Sequence, residues 1–93
     1  MNLRVSACFE YEVKYLGNPL KKEGTNSNNY GNMDAKACQN LCQKTDGCEW
    51  FNRNKKGDCY LKKSKGKQEN DQDGVSGPKF CDEGSKNRDE GIN

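Results

Sequence analysis

The sequence predicts a small α+β domain: one helix and several short strands, closed by its first and last cysteines. Three observations carry that prediction. Phe9 to Tyr15 alternates apolar and charged side chains without a break. Asp34 to Lys44 places apolar residues at helical spacing. Six cysteines accompany a chain of 93 residues that is only 30% hydrophobic and 32% charged. A core that thin struggles against about 1–2 kcal/mol of backbone entropy per residue, so covalent staples are expected.

The elements follow in order. In Phe9–Tyr15 the alternation predicts a strand with Phe9, Tyr11, Val13 and Tyr15 inward and Glu10, Glu12 and Lys14 toward water. Gly17-Asn18-Pro19 is a turn, and Leu20 to Glu23 a short return strand. Gly24 to Asn32 is polar and turn-rich, hence a loop, with Tyr30 its one large apolar group. Asp34 is a good N-cap for a helix running to Lys44, because its carboxylate can accept from first-turn amides. Ala35, Cys38, Leu41 and Cys42 share one face of it; Lys36, Gln39, Asn40 and Gln43 take the other. Gly47 is placed to end the helix.

Glu49–Asn52 and Cys59–Lys62 read as strands joined by a hairpin loop over 53–58. Ser64 to Gly74 is patternless and polar, hence a loop. Val75 to Cys81 reads as a final short strand, with Pro78 favouring an edge. The expected organisation is a leader or linker over 1–7, a domain over 8–81, and a disordered tail or inter-module linker over 82–93.

Cysteine use narrows the class. Cys8, Cys38, Cys42, Cys48, Cys59 and Cys81 are an even set in a small, apolar-poor chain, which favours disulfides and an oxidising compartment. Zinc would want a second pair matching Cys38-x3-Cys42, and redox catalysis would want C-x-x-C; the sequence has neither. Six cysteines allow 15 pairings, and spacing alone does not choose among them. Cys38 and Cys42, one turn apart on a helix face, each suit a bond to another element better than to one another.

Other classes are excluded or disfavoured. With no histidine, Ser-His-Asp and Cys-His catalysis and imidazole-bound zinc are impossible, and the acids form no paired-carboxylate signature. No catalytic residue, metal ligand set or cofactor is expected. No run is apolar enough to span a membrane, and Met1–Ala7 lacks the apolar centre of a signal peptide, so a secreted protein would carry its signal elsewhere. The near-neutral balance, sixteen basic against fourteen acidic side chains, gives no reason to expect a nucleic-acid partner.

The stretch from Asp34 through Cys38-Gln-Asn-Leu-Cys42, Cys48-Glu-Trp50-Phe51 and Cys59-Tyr-Leu61-Lys62 to Ser76-Gly-Pro-Lys-Phe80-Cys81 resembles the PAN/apple domain family. The C-x3-C-x5-C run, an aromatic three residues on, and C-x-L-K form a specific combination spanning Cys8 to Cys81. The resemblance implies a twisted antiparallel sheet of about five strands cradling one helix. It also implies three bridges: Cys8–Cys81, Cys38–Cys59 and Cys42–Cys48. Family members are binding modules, found in contact-phase proteases, growth-factor relatives and the tandem microneme adhesins of coccidian parasites.

Lysine- and asparagine-rich loops make this chain look most like the microneme group, especially the apple modules of an Eimeria microneme protein that resembles factor XI. The implied function is non-enzymatic adhesion by one repeat of a multidomain secreted protein. Its partners would be a host-cell surface protein or glycan, another adhesin subunit, and neighbouring modules of the same chain. A contact-phase accessory domain is the other setting.

Two sets of residues are candidate binding groups. Arg53, Lys55, Lys56, Lys62, Lys63, Lys65 and Lys67 concentrate positive charge over 53–67 against one acid, Asp58. They read either as a heparin or sulfated-glycan site or as a solvated rim that protects strand edges, with Glu69, Asp71 and Asp73 positioned to fold back over them. Trp50 and Tyr60 neighbour the core-type residues Phe51 and Leu61, so alternation turns them to the opposite face. There they either present exposed aromatic surface to a sugar or protein, or pack against the helix or a loop. Tyr30 carries the same pair of readings.

Overall fold

The computed structural model describes residues 8–81. The proposed leader 1–7 and tail 82–93 lie outside the described residues. The chain runs β1 (Glu10–Tyr15), β2 (Asn29–Asn32), α1 (Ala35–Lys44), β3 (Trp50–Arg53), β4 (Asp58–Lys62) and β5 (Gln68–Pro78). The strands form one antiparallel sheet in the order β1-β5-β3-β4-β2, with α1 packed on one face. This is the α+β architecture the sequence predicts.

The helix forms where expected. The Asp34 carboxylate accepts from the Ala37 amide at 2.8 Å. The stop differs. Thr45, not Gly47, caps α1, its amide bonding the Cys42 carbonyl and its hydroxyl the Leu41 carbonyl. Gly47, at φ +87°, makes the following turn, closed by the Cys48 amide on the Thr45 carbonyl. The helix face also differs at Gln39, which is only 1% exposed. Its Nε2 donates to the Pro78 carbonyl, and Gln43 donates to the Lys79 carbonyl. Both glutamines dock the helix flank on the end of β5, so polarity there means hydrogen bonding rather than exposure.

The core lies between α1 and the inner sheet face: Cys38, Cys42, Cys48, Phe51, Cys59 and Leu61, ringed by Phe9, Leu20, Tyr30, Met33, Ala35 and Leu41. Bridges Cys8–Cys81, Cys38–Cys59 and Cys42–Cys48 are formed, as the resemblance implies. Phe9 meets Phe51 edge to face with ring centres 5.6 Å apart. Gly77, paired with Phe51, leaves room for both rings, since a Cβ there would lie 2.8 Å from Phe51 Cε2.

Strand β1 departs from simple alternation. Its register against β5 shifts between Tyr11 and Val13, with Glu12 at φ +67°. On β5 the excess residues, 71–74, form a bulge that includes Asp73 at φ +62°. The irregularity reverses the parity of the strand. Phe9 packs on the helix side, but Tyr15 shares the outer face with Glu10, to which its hydroxyl donates. Tyr11, expected inside, is 62% exposed.

Three other expectations change. The loop expected over Gly24–Asn32 ends in the edge strand β2, and Tyr30 packs against the core with its hydroxyl on the Leu20 carbonyl. Leu20–Glu23 forms no strand; Pro19 alone bridges Lys62. The loop expected over Ser64–Gly74 is largely the first half of β5, which is central rather than an edge. Pro78 is tolerated there because it is the last residue of β5, past Ser76 where β1 pairing begins.

Candidate ligand-binding site

The sheet face opposite α1 carries the candidate site. Alternation sends Phe51, Cys59 and Leu61 into the core and Asn52, Tyr60 and Lys62 outward. The β3–β4 turn is fixed by the Asn54 side chain, which accepts from the Lys56 and Asp58 amides, and by Gly57 at φ +90°. That turn brings Lys55 and Lys56 over the same face. With Lys14, Tyr15 and Leu16 from β1 and its exit, Asn28 before β2, and Asp71 and Gln72 from the β5 bulge, they enclose a pocket of about 470 Å³.

The structure thus sorts the predicted binding residues. Lys55, Lys56, Tyr60 and Lys62 line one pocket. Arg53 faces the helix side, its Nε donating to the Met33 carbonyl. Lys63 is exposed and outside the pocket lining. Trp50 lies on the face opposite Phe51, as alternation requires, but it is 7% exposed. Tyr15 packs against it at 5.0 Å between ring centres, and Lys65 Nζ sits 4.7 Å from the Trp50 ring centre and 4.8 Å from that of Tyr15. Trp50 therefore belongs to a covered outer cluster, and Lys65 is committed to capping it.

Sequence reasoning missed Lys14, Asn28, Asn52 and Gln72 as pocket residues. Lys14 reads as a solvent-facing strand residue, and only the β1–β5 pairing shows what it faces. Asn52 is buried. Its Oδ1 accepts from the Tyr15 amide and the Ser76 hydroxyl, and its Nδ2 donates to the Tyr15 carbonyl. It therefore serves as pocket floor and as tie between β3 and β1.

Positive charge predominates in the pocket lining, with four lysines against one acid. Partial burial holds the Lys62 ammonium below the ordinary lysine pKa, and the neighbouring Lys14 charge pushes it further down. A negative group between them would relieve that repulsion. Lys14 already has one internal partner, Glu69, at 3.4 Å. Asp71 is the acid in the pocket wall. Among the described residues no group of three or more Cys, Asp or Glu side chains is placed to hold a metal ion.

The disulfide-stapled sheet thus has one face closed by a helix and a lysine-lined pocket on the other. The sequence model of the PAN domain family matches residues 8–84, and the chain belongs to that family. No curated protein matches the chain. PAN domains are non-enzymatic modules that bind protein or carbohydrate. Three disulfides in such a module fit a secreted, extracellular setting. No helix among the described residues is long and apolar enough to cross a membrane.

Proposed function

We propose that this chain is a non-enzymatic extracellular adhesion module that takes carbohydrate in its outer-face pocket. Residues 8–81 are the module, flanked by linkers, and it serves as one repeat of a multidomain adhesin. The observation that carries this reading is the convergence of Lys14, Lys55, Lys56 and Lys62 with Tyr60 and the carboxamides of Asn28 and Gln72 in one pocket. Carboxamides and ammonium groups satisfy sugar hydroxyls, and the Tyr60 ring supplies apolar contact. A microneme adhesin used in host-cell attachment is the setting we favour. The lysine- and asparagine-rich loops that resemble that group are also where Asn28, Asn54, Lys55 and Lys56 lie.

A pocket this open gives modest affinity per copy, and tandem repeats would supply avidity. The test is a glycan array and a host-cell binding assay with the 93-residue chain displayed as tetramers. Binding to defined glycans that is lost in a Lys55→Gln/Lys56→Gln/Tyr60→Ala variant supports the proposal. Equal signal from chain and variant on both assays refutes it.

The heparin reading of segment 53–67 survives in narrower form. Lys55, Lys56 and Lys62 converge in the pocket, Lys63 and Lys67 are exposed outside it, Arg53 bonds the Met33 carbonyl, and Lys65 lies over two aromatic rings.

A further inference from the structure

Within this proposed glycan pocket, we infer that Lys14 and Lys62 form a seat for the single carboxylate or sulfate of an acidic pyranose, for which Glu69 and Asp71 are built-in competitors. The inference rests on the carbohydrate reading and specifies the ligand class.

Four observations support it. Lys14 and Lys62 come from strands that are not neighbours in the sheet, yet both line one pocket. Of the other cations of the basic segment, Lys55 and Lys56 line the same pocket, so four lysines converge there, whereas Arg53 bonds the Met33 carbonyl and Lys65 lies over Trp50 and Tyr15. Lys62 is half-buried, and the Lys14 charge adds to the burial that holds its pKa below the ordinary lysine value. Finally, the chain supplies its own anions. Glu69 holds Lys14 in a half-exposed ion pair, and Asp71 lines the pocket.

An entering anion therefore exchanges with Glu69 for Lys14 and adds a contact to Lys62. That exchange makes binding reversible and weak for one copy. The carboxamides of Asn28 and Gln72 are left to meet the ring hydroxyls. A second internal acid, Asp71, disfavours ligands that carry several adjacent negative charges.

The experiment is an amide chemical-shift titration of the 93-residue chain with three monosaccharides: glucuronate, galactose 6-sulfate and galactose. Glucuronate, galactose 6-sulfate or both should shift amides at Lys14, Asn52, Tyr60 and Lys62, and galactose should shift them at least tenfold more weakly. Which acid binds tells carboxylate from sulfate recognition. Lys62→Gln should weaken acid-sugar binding about tenfold, since it removes one charge-assisted contact. Glu69→Gln should strengthen it about two- to fivefold, the range expected for freeing a cation from an exposed ion pair. Spectra of both variants outside the pocket should match the parent, which keeps a folding defect separate.

Equal shifts from galactose overturn the acid seat while leaving the carbohydrate reading intact. Shifts centred on Lys79 and the exposed Phe80 instead of the pocket overturn the location. Unchanged affinity in Glu69→Gln overturns the competition. Binding of the tetramer to glycan arrays with no pocket shift from any of the three sugars overturns the seat but not the adhesion proposal.

Discussion

Replacing Asn52 by alanine tests how the outer face is held together. Asn52 is 6% exposed, and its carboxamide makes three hydrogen bonds. Two reach the Tyr15 backbone, from amide to Oδ1 at 3.1 Å and from Nδ2 to carbonyl at 2.7 Å. The side chain thus acts as a one-residue strand partner where β1 leaves the sheet. The third bond, from the Ser76 hydroxyl, is expendable, because that hydroxyl also reaches the Val13 carbonyl at 2.9 Å. Alanine therefore orphans two backbone groups of a buried residue. Each costs about 1–3 kcal/mol, so the loss should reach at least about 2 kcal/mol. For a domain this size each kcal/mol moves the melting midpoint about 4–8 °C, which predicts a fall of about 8–16 °C or more.

Scanning calorimetry on disulfide-intact protein measures it, with Asn40→Ala on the exposed side of α1 as control. That control should stay within about 0.5 kcal/mol of the parent. Asn52→Asp separates hydrogen bonding from shape. It keeps the volume and the acceptors but loses the donor to the Tyr15 carbonyl and buries a charge, so it should melt low at neutral pH and partly recover as the acid protonates. If Asn52→Ala melts within about 2 °C of Asn40→Ala, the Asn52 tie contributes nothing to stability and the account of this face is wrong.

Two further outcomes are expected. Gly17→Ala should be destabilising by more than about 2 kcal/mol, because a Cβ would sit 1.8 Å from the Ser64 carbonyl oxygen, backbone that cannot swing aside; a denaturant midpoint equal to the parent's would refute the tight packing of loop 64–67 on Gly17. Stability should also fall on the alkaline side. The hydrogen bond to Glu10, then burial, raises the Tyr15 pKa above 10.0. The folded state therefore holds that proton more tightly than the unfolded chain. Its contribution is fully present below about pH 10 and is lost as pH rises toward the folded-state value. Tyr15→Phe should flatten that part of the stability–pH curve, and an unchanged slope between pH 9 and 11 would count against the assignment.

The helix and the β3–β4 hairpin were legible because their signals are local. Asp34 caps, Cys38 and Cys42 mark the buried face, and Phe51 and Leu61 fix the parity of two strands. The bulge was not legible. Phe9 to Tyr15 reads as perfect alternation, yet the register against β5 slips at Glu12, so Tyr15 crosses to the other face and Tyr11 is left exposed. Nothing in the composition of 68–74 marks a strand either: it pairs with β1 alone, and its side chains up to Asp73 are exposed or half-buried rather than in a core. The site shows the same division. Lys55, Lys56, Tyr60 and Lys62 are readable from one hairpin, but Lys14 and Asp71 join them only through the long-range pairing of β1 with β5.

Strand β4 connects the staple to the site. Its inward residues, Cys59 and Leu61, are fully buried, and Cys59 is bonded to Cys38 of the helix. Its outward residues, Tyr60 and Lys62, line the pocket. Because a strand has period two, fixing one set of side chains fixes the other without touching it. One helix closes only one face of five strands, so the opposite face is built from polar residues or from aromatics capped by a lysine, as Trp50 and Tyr15 are by Lys65. A core too small to hold the sheet by apolar burial alone is held by sulfur instead. The helix-side staples then preorganise an outer face that has no packing duties beyond Asn52, Trp50 and Tyr15. That leaves Lys14, Lys55, Lys56, Tyr60 and Lys62 without core duties and available to the proposed ligand, and Tyr60 and Lys62 are positioned by the Cys59–Cys38 bond on the far side of the same strand.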